Sequence, residues 1–278
     1  MKRTAYLAAL AAVSVALWSV TAYSDDAQVK RRAEAKVQDY FSVKFETGSV
    51  LGPSAGKSAD DYTASLGQVA RAVKANKVVM MYFYIEVGEN EKDGGLKARA
   101  EKCAKLEQEI FTGDEKVQEL GLLARFCQKF KVEVSRVKAK DNPYYNSETA
   151  PVVVVVAGNG SIVATLAGNA IAPDAITKAL GDALTRSGID AKVISTRQKK
   201  SGKSLLSLEI KKATLDKEID DAGKKISEWR DDPKKVQDAV KLEKDKKAKE
   251  AEVTKVKQDI ADIRKTLEEV PEVKGSKK

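Results

Sequence analysis

In the first two thirds of the chain, the apolar residues form short runs typical of buried strands, separated by stretches with helical spacing. Residues 152–156 are five consecutive valines, and a β-branched run without helical period indicates a strand buried on both faces. Residues 78–87 form a second such run, VVMMYFYIEV. The turn Gly-Asn-Gly at 158–160 leads into another strand over 161–166, so the valine run and this strand predict a hairpin.

Amphipathic helices are predicted between the strands. Apolar positions recur every three or four residues in four segments, which are residues 61–75, 96–111, 114–125 and 173–187. Asp114 suits the N-cap of the third segment, and Pro173 suits the first turn of the fourth. One more strand is predicted within 130–137, and residues 27–45 start as a helix and pass into a strand-like segment at 40–45. This order predicts an α/β fold with a mixed sheet covered on both faces.

A different pattern follows residue 203, where apolar residues keep helical spacing over two long segments. Their members are Leu208, Leu215, Ile219, Ala222, Ile226 and Trp229, then Ala239, Leu242, Val253, Val256, Ile260, Ile263 and Leu267. Between them, Asp232 suits an N-cap and Pro233 the first position of a helix. The pattern predicts an antiparallel coiled-coil hairpin over residues 198–270. The alternative is one long helix that is kinked at Pro233 and dimerises.

The two ends of the chain carry separate predictions. Residues 1–24 have the features of a secretory signal, with a basic start, an apolar stretch over 5–20 and small residues in Ala22-Tyr23-Ser24 before the cut. Cleavage would leave an exported, soluble protein in the periplasm or outside the cell, whereas retention would leave a membrane anchor. Residues 25–59 are interpreted as an N-terminal extension and residues 271–278 as a disordered tail.

Charge and residue types exclude several classes of chemistry. The chain has no histidine, which excludes histidine-dependent catalytic triads, histidine-ligated zinc and imidazole acid–base catalysis. Its net charge is +9, and residues 197–278 carry 24 basic against 18 acidic residues. Because these charges alternate in sign and aromatic residues other than Trp229 are nearly absent, they indicate a coiled-coil exterior and argue against nucleic acid. An anionic envelope surface remains a candidate partner.

Two segments resemble ligand sites but lack the required spacing. Residues 52–58, GPSAGKS, would need a glycine at the position of Leu51 to form a phosphate-binding loop. The acidic loop over 86–93 lacks the spacing of a calcium-binding EF-hand. No cofactor and no metal are therefore expected.

The order of elements over residues 60–190 resembles the thioredoxin-like family. The segments that carry the resemblance are Asn76-Lys77 before the buried strand, residues 103–117, Thr149-Ala150-Pro151, Gly160, and Leu166-Ala167-Gly168. The resemblance implies a mixed sheet flanked by helices and a cis peptide bond before Pro151. It also implies that the backbone of Thr149, Ala150 and Pro151 can pair with an extended peptide.

The sequence departs from that family at the attacking thiol. If Cys103 takes the second position of the family's CxxC motif, Ala100 occupies the first. The additional residues 88–97 move the predicted helix start back to about Gly95, which would place Cys103 inside the helix and away from its N-terminal dipole. Exchange of two electrons within one such motif is then impossible.

Three interpretations of Cys103 and Cys127 stay open. In the first, both cysteines are small buried apolar side chains. In the second, they form a disulfide with each other. In the third, Cys103 is a reactive thiol. The favoured function is an exported, non-catalytic thioredoxin-like binding or scaffolding protein, whose coiled coil binds a protein partner or a second copy. The alternative is an atypical thiol-disulfide oxidoreductase that uses Cys103 and Cys127.

Overall fold

The computed structural model describes residues 26–45, 50–51 and 67–272. Its helices are α1 (26–41), α2 (Gly67–Lys74), α3 (Gly94–Ile110), α4 (Gln118–Ala124), α5 (Pro173–Arg186), α6 (Ala191–Trp229) and α7 (Val236–Glu268). Its strands are β1 (Val50–Leu51), β2 (Val79–Tyr84), β3 (Gln128–Glu133), β4 (Val152–Val156) and β5 (Ile162–Ala167). The predicted signal at 1–24 and the loop at 52–58 lie outside the described residues.

The strands form one mixed sheet in the order β1-β3-β2-β4-β5. The first three strands of that order are parallel, with Val79 of β2 opposite Gln128 of β3. β4 runs antiparallel to β2, with Val152 opposite Phe83, and β5 runs antiparallel to β4. The α/β class and the mixed sheet are therefore confirmed. The carboxyl ends of β2 and β3 lie beside the first residue of β4.

The two central strands explain the continuous apolar runs. Every residue of β2 and of β4 is buried. Because successive strand residues point to opposite faces, both faces of these strands are covered. α5 packs on β4 and β5 through a buried face made of Ile176, Ala179, Leu180, Ala183 and Leu184.

The predictions for residues 40–41 and for Asp114 are wrong. Tyr40 and Phe41 were expected in a strand-like segment, but they continue α1 and bury their rings, which meet edge to face at 5.0 Å. Asp114 was expected to cap a helix, but it makes no capping bond. Its carboxylate accepts a hydrogen bond from Gln38 Nε2 at 2.8 Å, and the chain passes through a 3-10 turn before α4 begins.

The end of α1 and α4 approach each other at backbone distance. A side-chain carbon added to Gly121 of α4 would lie 1.6 Å from the carbonyl oxygen of Phe41, so only glycine fits. Beside this contact the guanidinium of Arg125 lies 4.0 Å above the ring of Tyr40 and donates a hydrogen bond to its carbonyl. Arg125 also pairs with Glu268 at the end of α7, at 2.9 Å.

The residues after α7 are held by backbone contacts. Arg197 donates a hydrogen bond to the carbonyl of Glu269 at 2.7 Å, and the N–H of Asp190 donates to the carbonyl of Pro271 at 2.7 Å. Glu272 forms an isolated β-bridge, and Pro271 is buried. The predicted disordered tail is therefore wrong for these two residues, because their backbone groups have partners; residues 273–278 lie outside the described residues.

The described chain divides into two compact units. The helical unit comprises residues 26–37 and Lys203–Lys265, and the α/β unit comprises Gln38–Gly202 and residues 266–272. α6 begins at Ala191, before the predicted start at 198, because its first turns belong to the α/β unit. No helix in the described ranges combines the length and the apolar content needed to cross a membrane.

Within the helical unit, α6 and α7 form an antiparallel hairpin. Glu209 of α6 pairs with Arg264 at 3.0 Å, whereas Glu218, further along α6, pairs with Lys249 at 2.8 Å, nearer the start of α7. The chain therefore folds back on itself instead of continuing as one kinked helix. The break was expected to start a helix at Asp232; instead Asp232 accepts from the N–H of Lys234 in a turn, and α7 begins at Val236.

Candidate functional site

The predicted binding residues lie at the end of the sheet where β2 finishes and β4 starts. Because Val152 lies opposite Phe83, Pro151 directly precedes β4 beside the last residue of β2. The peptide bond between Ala150 and Pro151 is cis, as the resemblance implied. α3 starts at this end as well, because a short loop joins it to β2. Asp93 caps that helix by accepting from the N–H groups of Gly95 and Leu96.

Asn146 holds the segment before Pro151 in place. Its side chain is buried, and its Oδ1 accepts hydrogen bonds from the N–H groups of Glu148 at 2.7 Å and Thr149 at 3.2 Å. Its main-chain carbonyl accepts from the N–H of Ala150 at 3.1 Å. Since proline has no N–H, the carbonyl oxygens are the remaining backbone groups through which this segment can pair with a peptide.

The preceding loop is fixed on both sides of Tyr144. The ring of Tyr145 stacks on Phe83 with 4.1 Å between centroids and an angle of 15°. Asn142 Oδ1 accepts hydrogen bonds from the N–H groups of Tyr144 at 3.0 Å and Tyr145 at 3.3 Å. Between these fixed points the side chain of Tyr144 is 72% exposed. An aromatic residue is thus presented to solvent on an ordered loop.

Cys103 lies in the interior of α3 and is 1% exposed. Burial raises the pKa of its thiol, and neighbouring Glu107 adds to the rise, although hydrogen bonds with Ile85 and Tyr82 oppose it. The hydroxyl of Tyr82 donates to the carbonyl of Cys103 at 3.2 Å. As predicted, the thiol is inside the helix, where the N-terminal dipole does not favour a thiolate.

Cys127 lies at the other end of the sheet, directly before β3. Its Sγ donates to the carbonyl of Leu123 at 3.5 Å, and burial raises the pKa of the thiol to about 12. Both thiols are free and buried, so the structure does not join Cys103 and Cys127 in a disulfide. Of the open interpretations, the geometry favours small buried side chains, because a reactive thiol needs access and a lowered pKa.

A groove of about 530 Å³ opens where β2 ends and α3 begins. We call it the Tyr84 groove; its lining residues are Tyr84, Ile85, Glu86, Val87, Gly88, Glu89, Lys97, Ala100, Glu101, Ala104, Glu107 and Lys131. Ala100, the position at which the family resemblance would place the attacking thiol, forms part of the wall. Four glutamates against two lysines give the groove a negative balance.

Lys131 of β3 lies at the floor of this groove, where it contacts Glu107 and Tyr84. Its Nζ lies 2.8 Å from a carboxylate oxygen of Glu107 and 4.1 Å from the centre of the Tyr84 ring. Burial is the main reason why the pKa of Tyr84 is well above its ordinary value, and Glu86, which hydrogen-bonds with this hydroxyl, raises the pKa further. The groove therefore has an ordered floor, and Glu86, Glu89 and Glu101 are exposed at its rim.

The arrangement provides no metal centre in the described ranges, where no three histidine, cysteine or acidic side chains come close enough to share an ion. In the acidic loop, Asp93 is used as a helix cap and Glu91 accepts hydrogen bonds from the N–H groups of Lys92 and Asp93.

Sequence reasoning missed three residues of this region. Lys131 alternates with the buried Phe130 and Val132, and this period of two could have indicated a charged residue beside the core. Asn146 and Tyr144 stand in a polar loop of ordinary composition, so no pattern distinguishes the buried asparagine from the exposed tyrosine.

Comparison of the chain with models of protein families, with curated proteins and with solved structures finds no match. The inference to function therefore rests on the geometry of the chain.

Proposed function

We propose that this chain is an exported, non-catalytic binding protein whose α/β unit has a thioredoxin-like fold and whose helical hairpin is a coiled-coil assembly arm. The strand order, with β4 antiparallel to the other four strands, is consistent with that fold. A helix that follows the second strand and a proline directly before the fourth strand stand at the positions the resemblance assigns to them.

The observation that carries the proposal is the environment of Cys103. The thiol is buried in the interior of α3, its pKa is raised, and the helical position one turn before it is Ala100. A thiol that attacks a disulfide must be exposed and largely ionised near neutral pH. Cys103 meets neither requirement, and Cys127 lies at the opposite end of the sheet. The proposed role is therefore binding without disulfide exchange.

The binding surface proposed for a protein partner is the segment 149–151 together with the Tyr84 groove at the same end of the sheet. The segment is ordered because Asn146 holds the N–H groups of Thr149 and Ala150, and its carbonyl oxygens are the groups proposed to pair with an extended peptide. Adding a strand in this way uses main-chain hydrogen bonds for affinity and nearby pockets for selectivity. The groove provides such a pocket next to the segment.

The assembly role of the arm is proposed from its coiled-coil pattern. The facing sides of α6 and α7 are apolar and buried, at Leu215, Ala222, Ile226, Ala239, Val253, Val256 and Ile260. Flanking ion pairs cross between the helices at Lys211–Glu252, with 2.7 Å, and at Lys249–Glu218. An apolar seam with flanking charges is typical of a coiled coil. Val236 and Val240 of α7 are exposed, so they are available for contact with a partner.

Thiol counting tests the non-catalytic part of the proposal. The full chain is purified from an oxidising compartment without reductant and treated with a chromogenic disulfide, first folded and then in denaturant. We expect slow reaction of the folded chain and two reactive thiols after denaturation. Rapid reaction of the folded chain would favour the oxidoreductase that uses Cys103 and Cys127, whereas no thiol in the denatured chain would show that the two cysteines form a disulfide.

Site-directed cross-linking tests the binding part. A photo-reactive residue is placed at Glu148, beside the proposed peptide segment, and in a matched variant at Asp182, an exposed position of α5. The same partner, identified by mass spectrometry, should be captured from the first position and not from the second. Capture from both positions or from neither contradicts a binding site at residues 149–151.

Mass spectrometry tests the predicted export signal. The mass of the exported chain should correspond to a start at Asp25.

A further inference from the structure

One end of the α/β unit carries two surfaces of opposite character. The first is the Tyr84 groove, with Glu86, Glu89 and Glu101 exposed at its rim. The second is the loop between β3 and β4; we call residues 136–145 the Tyr144 loop. Since β3 ends where β2 ends and β4 starts there, the groove and the loop share this end of the sheet.

The Tyr144 loop is basic, in contrast to the groove. Arg136, Lys138 and Lys140 are exposed on it, against the single acid Asp141, whose carboxylate accepts from the N–H of Lys138 at 3.3 Å. Glu148 follows the loop and is also exposed. The loop therefore presents a positive balance around one exposed aromatic side chain.

Tyr144 has the properties of an interface anchor. It is 72% exposed, yet its backbone is fixed by Asn142 and its neighbour Tyr145 is stacked on Phe83. A tyrosine on a preordered loop loses little conformational entropy when it is buried, and such residues dominate binding energies at protein interfaces. Tyr144 is therefore an exposed aromatic side chain on a preordered loop.

The groove fits this anchor. Its volume of about 530 Å³ falls in the range of pockets that enclose a side chain or small ligand, and Tyr84, Ile85, Ala100 and Ala104 supply apolar walls. Lys131 is already paired with Glu107, and Lys97 is the other lysine among the described lining residues, against three exposed glutamates at the rim. A partner for this groove should therefore combine an aromatic knob with flanking positive charges.

We infer that the occupant is a second copy of this chain, with the Tyr144 loop of each copy inserted in the Tyr84 groove of the other. A two-fold axis at this end of the sheet brings each negative groove against one positive loop, so the complementary contact is made twice. Lys138 and Lys140 then face the glutamates of the partner's rim. This inference rests on the proposed function for the position of the binding surface, the Tyr84 groove, and it names the partner that occupies this groove.

Charge exchange between two variants tests this pairing in the full chain. Glu86→Lys/Glu101→Lys makes the groove positive, and Lys138→Glu/Lys140→Glu makes the loop negative. Sedimentation equilibrium of wild type from about 1 to about 200 µM should show a reversible dimer, a range in which weak, small interfaces associate. Each variant alone should dimerise at least about ten-fold more weakly, and a mixture of the two should recover the dimer, because each repulsive surface then meets its opposite.

Two controls separate this interface from association through the helical hairpin. Tyr144→Ala should weaken dimerisation by about ten-fold or more, as expected for an anchor residue. Glu115→Lys and Lys116→Glu, exposed reversals in the turn before α4, should leave it unchanged. Recovery of the dimer in the mixture also shows that both charge variants are folded.

A wild-type chain that is monomeric throughout this range overturns the inference. So does a dimer that is insensitive to either charge variant or to Tyr144→Ala, or a mixture that stays dissociated. None of these results changes the thiol chemistry, whereas rapid reaction of Cys103 would contradict the non-catalytic function and leave the dimer interface intact. The two proposals therefore fail separately.

Discussion

The hydroxyl of Tyr82 donates a hydrogen bond to the main-chain carbonyl of Cys103, with 3.2 Å between the oxygens. Both residues are almost completely buried, so this bond ties the central strand β2 to the interior of α3. The residue that the family resemblance would place in the redox motif is thus part of the internal scaffold. Its backbone supports the wall of the Tyr84 groove.

Replacing Tyr82 by phenylalanine should destabilise the fold by about 1–2 kcal/mol, because a buried hydrogen bond is lost without loss of the ring. Tyr84→Phe is the matched control, since its hydroxyl bonds with the exposed Glu86 and its removal should cost less than half as much. Urea unfolding followed by circular dichroism measures both. A larger effect for Tyr84→Phe would contradict the proposed importance of the strand–helix bond.

Gly121→Ala should destabilise the chain by about 3 kcal/mol or more, because the new methyl group would meet the carbonyl oxygen of Phe41. The sign is informative, since glycine to alanine within a helix normally stabilises by about 0.5–1 kcal/mol. Gly181→Ala in α5 should show that ordinary gain, because its nearest neighbour lies at 3.8 Å. Thermal unfolding of both variants distinguishes the two cases, and a stabilised Gly121→Ala would disprove the close approach.

Asn146→Ala should cost about 2–4 kcal/mol, because it removes a buried side chain whose oxygen holds the N–H groups of Glu148 and Thr149. Asn159→Ala removes a similar bond to the N–H of Ser161 in an exposed turn and should cost at most about 1 kcal/mol. Denaturant unfolding compares them. Equal losses would show that Asn146 does not organise the segment before Pro151.

The stability of the fold should fall above pH 9 because of Cys127. Its thiol pKa rises from the ordinary 9.0 to about 12 on folding, so between these values the unfolded chain has released a proton that the folded chain keeps. Stability is then lost as the pH rises, by at most about 1.4 kcal/mol per pH unit. Cys127→Ala removes this contribution, so wild type should lose more stability than the variant in urea unfolding between about pH 8 and about pH 10.5. If wild type and Cys127→Ala lose the same free energy of unfolding over this pH range, the thiol of Cys127 is accessible in the folded chain.

Much of the fold could be predicted from the sequence because its strongest signals are long and local. The valine run of β4 and the apolar run of β2 identify central strands, since only strands covered on both faces lack polar alternation. The hairpin of α6 and α7 follows from spacing and from the break around Pro233. Both depend on residues close together in the chain.

The contacts that position the site could not be predicted, because they join residues distant in sequence. The continuation of α1 through Tyr40 and Phe41 depends on packing against α4, and Pro271 is ordered by a bond from Asp190. Asp114 has the sequence of a helix cap but pairs with Gln38 instead. Only the folded chain brings these partners together.

Catalysed reduction of insulin disulfides by dithiothreitol tests the central claim most directly. Because Cys103 and Cys127 are buried and both have raised pKa values, insulin should precipitate at the same rate with and without the full chain. Cys103→Ala should leave that rate unchanged. Faster precipitation that depends on Cys103 would contradict a non-catalytic binding function and establish an oxidoreductase.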